Sequence, residues 1–247
     1  MDIWTMLGLL VAAVPIGIFG VVFGGNLFLS LPLFQFMFPD MALGAIIGNV
    51  KPGSIVRNIA SLAPLRHYVL VRSSVIFVLT LSLGSIVGAT FISMLSASKF
   101  YVIPVLIAGW CVMVSAPTLG RYVSHLGFMV AAFCIGMYGG IFGAGISLLI
   151  AALIRLRHGG DSELLLVRAN SLYLETILTF ASVFIFLYQG LIDWWIASIW
   201  AIGSFVGGYL GGVITKHTGK LSPTVQKAMF HISFGIALSV ATVKAFV

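Results

Sequence analysis

Apolar residues in this chain come in runs too long for the interior of a soluble domain. They cover roughly residues 3–38, 41–62, 73–95, 100–118, 124–154, 164–190, 194–214 and 224–246, with polar residues confined to the short gaps. One bilayer crossing takes about 20 residues, and a helix keeps its backbone hydrogen bonds within the segment. Six runs fit a single crossing. The first and fifth are longer, and each is interrupted by glycines near its middle. The pattern predicts an all-α polytopic membrane protein of about eight apolar segments.

The two long runs resemble each other. Ile16-Gly17-Ile18-Phe19-Gly20-Val21-Val22-Phe23-Gly24-Gly25 aligns with Ile135-Gly136-Met137-Tyr138-Gly139-Gly140-Ile141-Phe142-Gly143-Ala144, an offset of 119 residues (135 less 16). At that offset Gly84-Ser85-Ile86-Val87-Gly88 matches Gly203-Ser204-Phe205-Val206-Gly207. Two blocks at one offset, with Ser, Phe and Val identities as well as glycines, indicate a tandem duplication. Its units are residues 1–120 and 121–247, with the junction near Arg121.

Basic residues choose between two topologies, because they accumulate on the cytoplasmic side. If each long run crosses once, Arg66, Arg72, Arg121 and Lys244 share one side, and Lys99, Arg155, Arg157, Lys216 and Lys220 the other. That is no bias. If each long run enters and returns as a hairpin, Arg66, Arg72, Arg121, Arg155, Arg157, Lys216 and Lys220 share one side, against Lys99 and Lys244. The hairpin reading satisfies the rule. It predicts two inverted repeats, each a Gly-broken helical hairpin plus three crossings, ten helices counting the hairpin halves. Both termini then lie outside a multi-pass protein of the cell (inner) membrane. Inverted repeats with interrupted helices recur in secondary transporters.

Composition narrows the classes further. Of 247 residues, 60% are apolar and 8% charged, against about a quarter charged in a soluble domain. The net charge of +7 is therefore an orientation signal and not a nucleic-acid one. Cys111 and Cys134 both lie in apolar runs, so the sequence predicts no disulfide framework. It predicts no metal site and no cofactor, and no nucleophile–base arrangement marks an enzyme. The N-terminal apolar stretch runs on to Phe38 without a cleavage site and reads as part of the fold.

Candidate chemistry lies at the breaks and at charges within crossings. Gly24-Gly25-Asn26 and Gly143-Ala144-Gly145 interrupt their helices, and a helix restarting there offers free N–H groups and a positive dipole end to an anion. Close helix packing is the alternative use of such glycines, and the preferred one for Gly84, Gly88, Gly203 and Gly207. Lys51 lies eleven residues beyond Asp40, roughly 16 Å at 1.5 Å per residue, and Glu175 lies twelve beyond Glu163. Both are expected near the midplane, where charges are costly and usually functional. Lys51 reads as an anion ligand; Glu175 either carries a coupling proton or pairs with Lys51. Pro52-Gly53 is expected to break the helix after Lys51. Arg57 and Arg168 either bind ligand or snorkel to the cytoplasmic face. Asn49, Asn58 and Asn170 add hydrogen-bonding groups, and His231 in the last crossing is a second titratable candidate. Trp4, Trp194 and Trp195 read as interface anchors.

Together these features resemble the TauE/SafE family of sulfite and organosulfonate transporters over essentially the whole chain. Each half of that family opens with a Gly-rich apolar segment of the kind at Gly17–Gly25 and Gly136–Gly145. The first cluster here is interrupted by Asn26-Leu27 and followed by Pro32; the second has no such proline. The resemblance implies secondary transport of a small sulfur anion, sulfite or an organosulfonate such as sulfoacetate. The partners expected are that anion, the lipid bilayer and a coupling proton or ion. An anion channel and a non-transporting membrane scaffold are the competing readings.

Overall fold

The computed structural model describes residues 2–70, 75–92, 124–158 and 164–219, with 231, 232, 235 and 239. The described residues are helical, without strands. The helices are α1 (Ile3–Val22), α2 (Leu27–Met37), α3 (Leu43–Leu65), α4 (Val75–Thr90), α5 (His125–Ile141), α6 (Ile146–His158), α7 (Leu164–Tyr188) and α8 (Trp194–Thr218). A short 3-10 turn, Arg66–Tyr68, follows α3. The expected crossing at 100–118 and most of that at 224–246 lie outside the described residues, as do Arg72, Lys99, Arg121, Glu163, Lys220 and Lys244.

Ile3–Val22, Leu165–Tyr188 and Trp194–Thr218 are long and apolar enough to cross a membrane. These helices and their neighbours carry exposed apolar stripes, such as Ile202, Phe205, Tyr209 and Leu210 on α8 and Val75, Ile76, Leu79 and Leu83 on α4. An aqueous surface does not sustain stripes of that extent, whereas lipid does. α3 is the inverse case, burying Asn49, Lys51, Ser54, Arg57, Asn58 and Ser61 against other helices. Among the described residues, α3 thus turns polar side chains inward while α4 and α8 leave apolar ones exposed.

Both long runs break at their glycines. α1 ends at Val22 and α2 begins at Leu27; α5 ends at Ile141 and α6 begins at Ile146. Gly24 (φ 85°), Gly25 (φ 78°), Gly143 (φ 71°) and Gly145 (φ 70°) are left-handed, a conformation costing roughly 1–2 kcal/mol for other L-residues. The chain reverses at the first break. Asn26 bonds Ser54, eleven residues along α3 from Leu43, and the 11-residue α2 returns from there to the start of α3. α1 runs the other way, parallel to α8: Leu10 lies against Gly203, Val14 against Gly207 and Ile18 against Gly211.

The corresponding contact links α5 to α4. Leu81 lies against Gly136, Ser85 against Gly140 and Met137 against Gly88, so these helices are also parallel. α8 runs parallel to α3 as well, with Gly53 against Trp200, Arg57 against Gly208 and Ser61 against Gly212. α3 and α7 cross antiparallel, through Lys51 to Ser182 and Arg57 to Glu175. Gly84, Gly88, Gly203 and Gly207 serve packing, as expected. A methyl group at Gly88 would overlap the Met137 carbonyl oxygen. Gly88→Ala is therefore expected to destabilise by ~1–3 kcal/mol. Gly44→Ala, where a methyl would stand 3.4 Å from Leu191, should be near neutral; thermal unfolding in detergent checks the contrast.

The expected break at Pro52 does not occur, and α3 is continuous through it. Proline leaves one carbonyl a turn earlier without its amide partner, which packed neighbouring helices tolerate within a membrane protein. Gly53 instead makes room for the Trp200 ring, whose atoms a Cβ there would strike.

Candidate functional site

The two glycine turns meet in the interior. A Cβ on Gly25 would lie 3.3 Å from the Gly145 Cα, and one on Gly24 would strike Leu148 and Ser147. Beneath them α3 and α7 cross, so the tip of each half faces polar side chains of both third helices. A cavity at this junction is lined by Asn26, Lys51, Ser54, Gly143, Glu175 and Thr179, among others. It measures about 20 Å³, room for roughly one water.

Lys51 is buried and donates to the Gly139 carbonyl (3.0 Å) and Ser182 Oγ (3.1 Å), with Nζ 5.0 Å from the centroid of Phe186. It makes no ion pair with Glu175. The partner of Glu175 is Arg57, whose Nη2 lies 2.8 Å from Oε1. The reason is helical register: Lys51 and Arg57 are six residues apart, and the antiparallel crossing sets Ser182 opposite the first and Glu175 opposite the second. Asn58 Oδ1 accepts from Arg57 Nε and Nη2 (3.0 and 2.7 Å). Arg57 Nη1, Asn58 Nδ2 and Glu175 Oε2 are buried without a hydrogen-bond partner.

Neither arginine snorkels. Arg57 is 1% and Arg168 2% exposed. Arg168 donates through Nε to the Val21 carbonyl (2.7 Å) and through Nη2 to that of Gly20 (3.0 Å), with Nη1 3.5 Å from Ser147 Oγ. These carbonyls close the C-terminal end of α1, where a cation is favoured by the helix dipole. Lys51 does the same for α5 through Gly139. Gly139 is the partner of Gly20 at the 119-residue offset, so each half's third helix sends a cation to the first helix of the other half. Ser54, Ser182 and Thr179 are residues of this region that sequence reasoning passed over, and Arg168 was left there between ligand binding and snorkelling. The intramembrane-charge signal was there for Arg168, but its place four residues into α7 reads as interfacial until α1 is seen packed over it.

Other candidates stand elsewhere. Asn49 donates to Ala45 O (2.9 Å) and accepts from the Asp193 amide (2.8 Å). Asn170 donates to Leu166 O and Tyr68 O and accepts from the Leu70 amide. Each tethers the connection leading to the fourth helix of the opposite half, and neither lines the cavity. The Ala144 carbonyl takes the Tyr138 hydroxyl at 2.7 Å. His231 is exposed and is not among the lining residues. Cys134 is exposed on α5, and Cys111 lies outside the described residues. Among the described residues no group of His, Cys, Asp and Glu could hold a metal ion.

What this arrangement offers is a small pocket between two glycine turns, lined by Lys51 and Glu175 with two further buried cations, Arg57 and Arg168, close by. Comparison with known proteins bears on it: the family model described as sulfite exporter TauE/SafE matches residues 9–244. No curated protein and no solved structure matches the chain.

Proposed function

The chain belongs to the sulfite exporter TauE/SafE family, and on that premise we propose that it is a secondary transporter of a small sulfur-containing anion, sulfite or an organosulfonate such as sulfoacetate. It works in the cytoplasmic membrane by alternating access between two inverted halves, residues 1–120 and 121–247, with both termini outside. The observation that carries this reading is the cavity where both glycine turns meet Lys51 and Glu175, with Arg57 behind it as the ion-pair partner of Glu175. The exchange of partners between halves, α1 with α8 and α5 with α4, supports inverted copies.

Anion selectivity follows from the donors. Lys51 supplies a point charge, and Arg57 a planar fork that suits a three-oxygen face. Asn26 and Gly143 line the site from above, and the opening of the turns would bring the backbone of Gly24, Gly25 and Gly145 to the anion. At about 20 Å³ the cavity has room for less than one oxyanion, so the turns must part for substrate to enter. Such parting, on one side at a time, is what alternating access requires. Of the coupling candidates, Glu175 lines the cavity and His231 does not, which favours Glu175.

The test is counterflow in proteoliposomes. Unlabelled sulfoacetate or sulfite inside the vesicles should accelerate uptake of the labelled anion, with saturation. Linear uptake without trans-stimulation would identify a channel, and no uptake of either anion a scaffold; each overturns the proposal.

A further inference from the structure

The buried charges near the cavity do not balance. Among the described residues, the buried charged side chains are Lys51, Arg57, Arg168 and Glu175, three cations to one carboxylate. Inside a membrane such an excess calls for a counter-anion. Glu175 supplies one, but through a single contact. Arginine and carboxylate normally close as two parallel hydrogen bonds. Here the Nε and Nη2 donors are both turned to Asn58 Oδ1, and Glu175 holds only Nη2. Oε2 of the carboxylate and Nη1 of the guanidinium, both buried, have no partner.

We propose that Glu175 is a resident stand-in for the transported anion, displaced from Arg57 when substrate binds and neutralised by one proton as it leaves. This rests on the transport reading above. The incoming oxyanion takes up the donors of Lys51 and Arg57. The Glu175 carboxylate, deprived of its cation in a dry interior, binds one proton to become the neutral acid, because an isolated ion there is far costlier. No covalent bond to the substrate changes. One carboxylate charge disappears as the substrate's charge arrives, so entry is coupled to proton uptake and release to proton loss.

The electrostatic surroundings of Glu175 are simple. From α3 it faces Lys51 and Arg57, and on its own helix Arg168 lies two turns earlier. α1, α2 and α4 contain no titratable side chain, and the one α5 brings near, Tyr138, gives its hydroxyl to Ala144. α6 carries Arg155, Arg157 and His158 in its last turn, the Arg66–Tyr68 turn meets α7 through Tyr68 and Asn170, and Tyr173 lies two residues earlier on α7. Competition between Glu175 and substrate is thus set by the two α3 cations together with Arg168.

Calorimetric titration of the purified full chain with sulfoacetate, whose charge is constant over the range used, tests this at about pH 6 and about pH 8 in buffers of different ionisation enthalpy. The expected result is uptake of about one proton per anion bound, with affinity weakening up to tenfold per pH unit. Glu175→Gln should bind with no proton uptake and equal affinity at both pH values. Binding to the wild type without proton uptake overturns the displacement and leaves the transport reading standing. Proton uptake that persists in Glu175→Gln also overturns it. Failure of the wild type to bind either sulfoacetate or sulfite overturns both readings. Should the variant not fold, the wild-type proton count decides alone.

Discussion

Arg57→Ala is expected to lower the stability of the protein by about 3–5 kcal/mol, read as a large drop in unfolding midpoint in detergent. The cause is not the lost contact by itself. Glu175 is 3% exposed, with Arg57 its one ion-pair partner among the described residues. Removing the guanidinium strands a carboxylate in the interior and leaves Asn58 Oδ1 without its two donors. The double substitution Arg57→Met with Glu175→Gln should recover most of the loss, because exchanging a buried pair for neutral side chains of similar volume is often close to neutral. A single Arg57→Ala variant within about 1 kcal/mol of wild type would show that solvent reaches Glu175, against the closed packing described above.

Lys51→Ala should weaken anion binding roughly ten- to a hundredfold while leaving the fold intact. A hydrogen bond to a charged group contributes about 1.5–3 kcal/mol, and every 1.4 kcal/mol is tenfold in Kd. The fold should survive because Ser182 retains its bond to the Thr179 carbonyl, and because deleting a cation from a cation-rich interior relieves repulsion. Lys51→Arg is not expected to rescue binding. The planar guanidinium needs more room than a cavity of about 20 Å³ allows. Binding of sulfoacetate at unchanged affinity by Lys51→Ala would remove Lys51 from the site. Stability and binding therefore separate the two cations, Arg57 dominating the first and Lys51 the second.

Much of the site could be read from one-dimensional distances. Counting residues from the ends of apolar runs sets Lys51 and Glu175 at matching depths, and both do line one cavity. The glycine clusters mark the breaks because helix interiors disfavour glycine and left-handed turns favour it. Pairing was not readable in this way. Arg57 and Glu175 are separated by 118 positions, and which of two nearby cations meets the carboxylate depends on where α3 crosses α7. Asn49 and Asn170 show the same limit. Polar groups in apolar helices announce a buried partner without saying whether it is a ligand or a neighbouring backbone, and here it is backbone.

By its own pattern, the chain determined a helical membrane protein with a duplicated glycine motif, because hydrophobic run length, basic gaps and glycine spacing act locally and additively. Only the tertiary structure decided that α3 passes unbroken through Pro52, that the first helix of each half lies along the fourth helix of the other, and that Lys51 and Arg168 hold carbonyls of the opposite half. Those outcomes depend on crossing angle and register between segments distant in sequence, where a shift of one helical turn changes every partner.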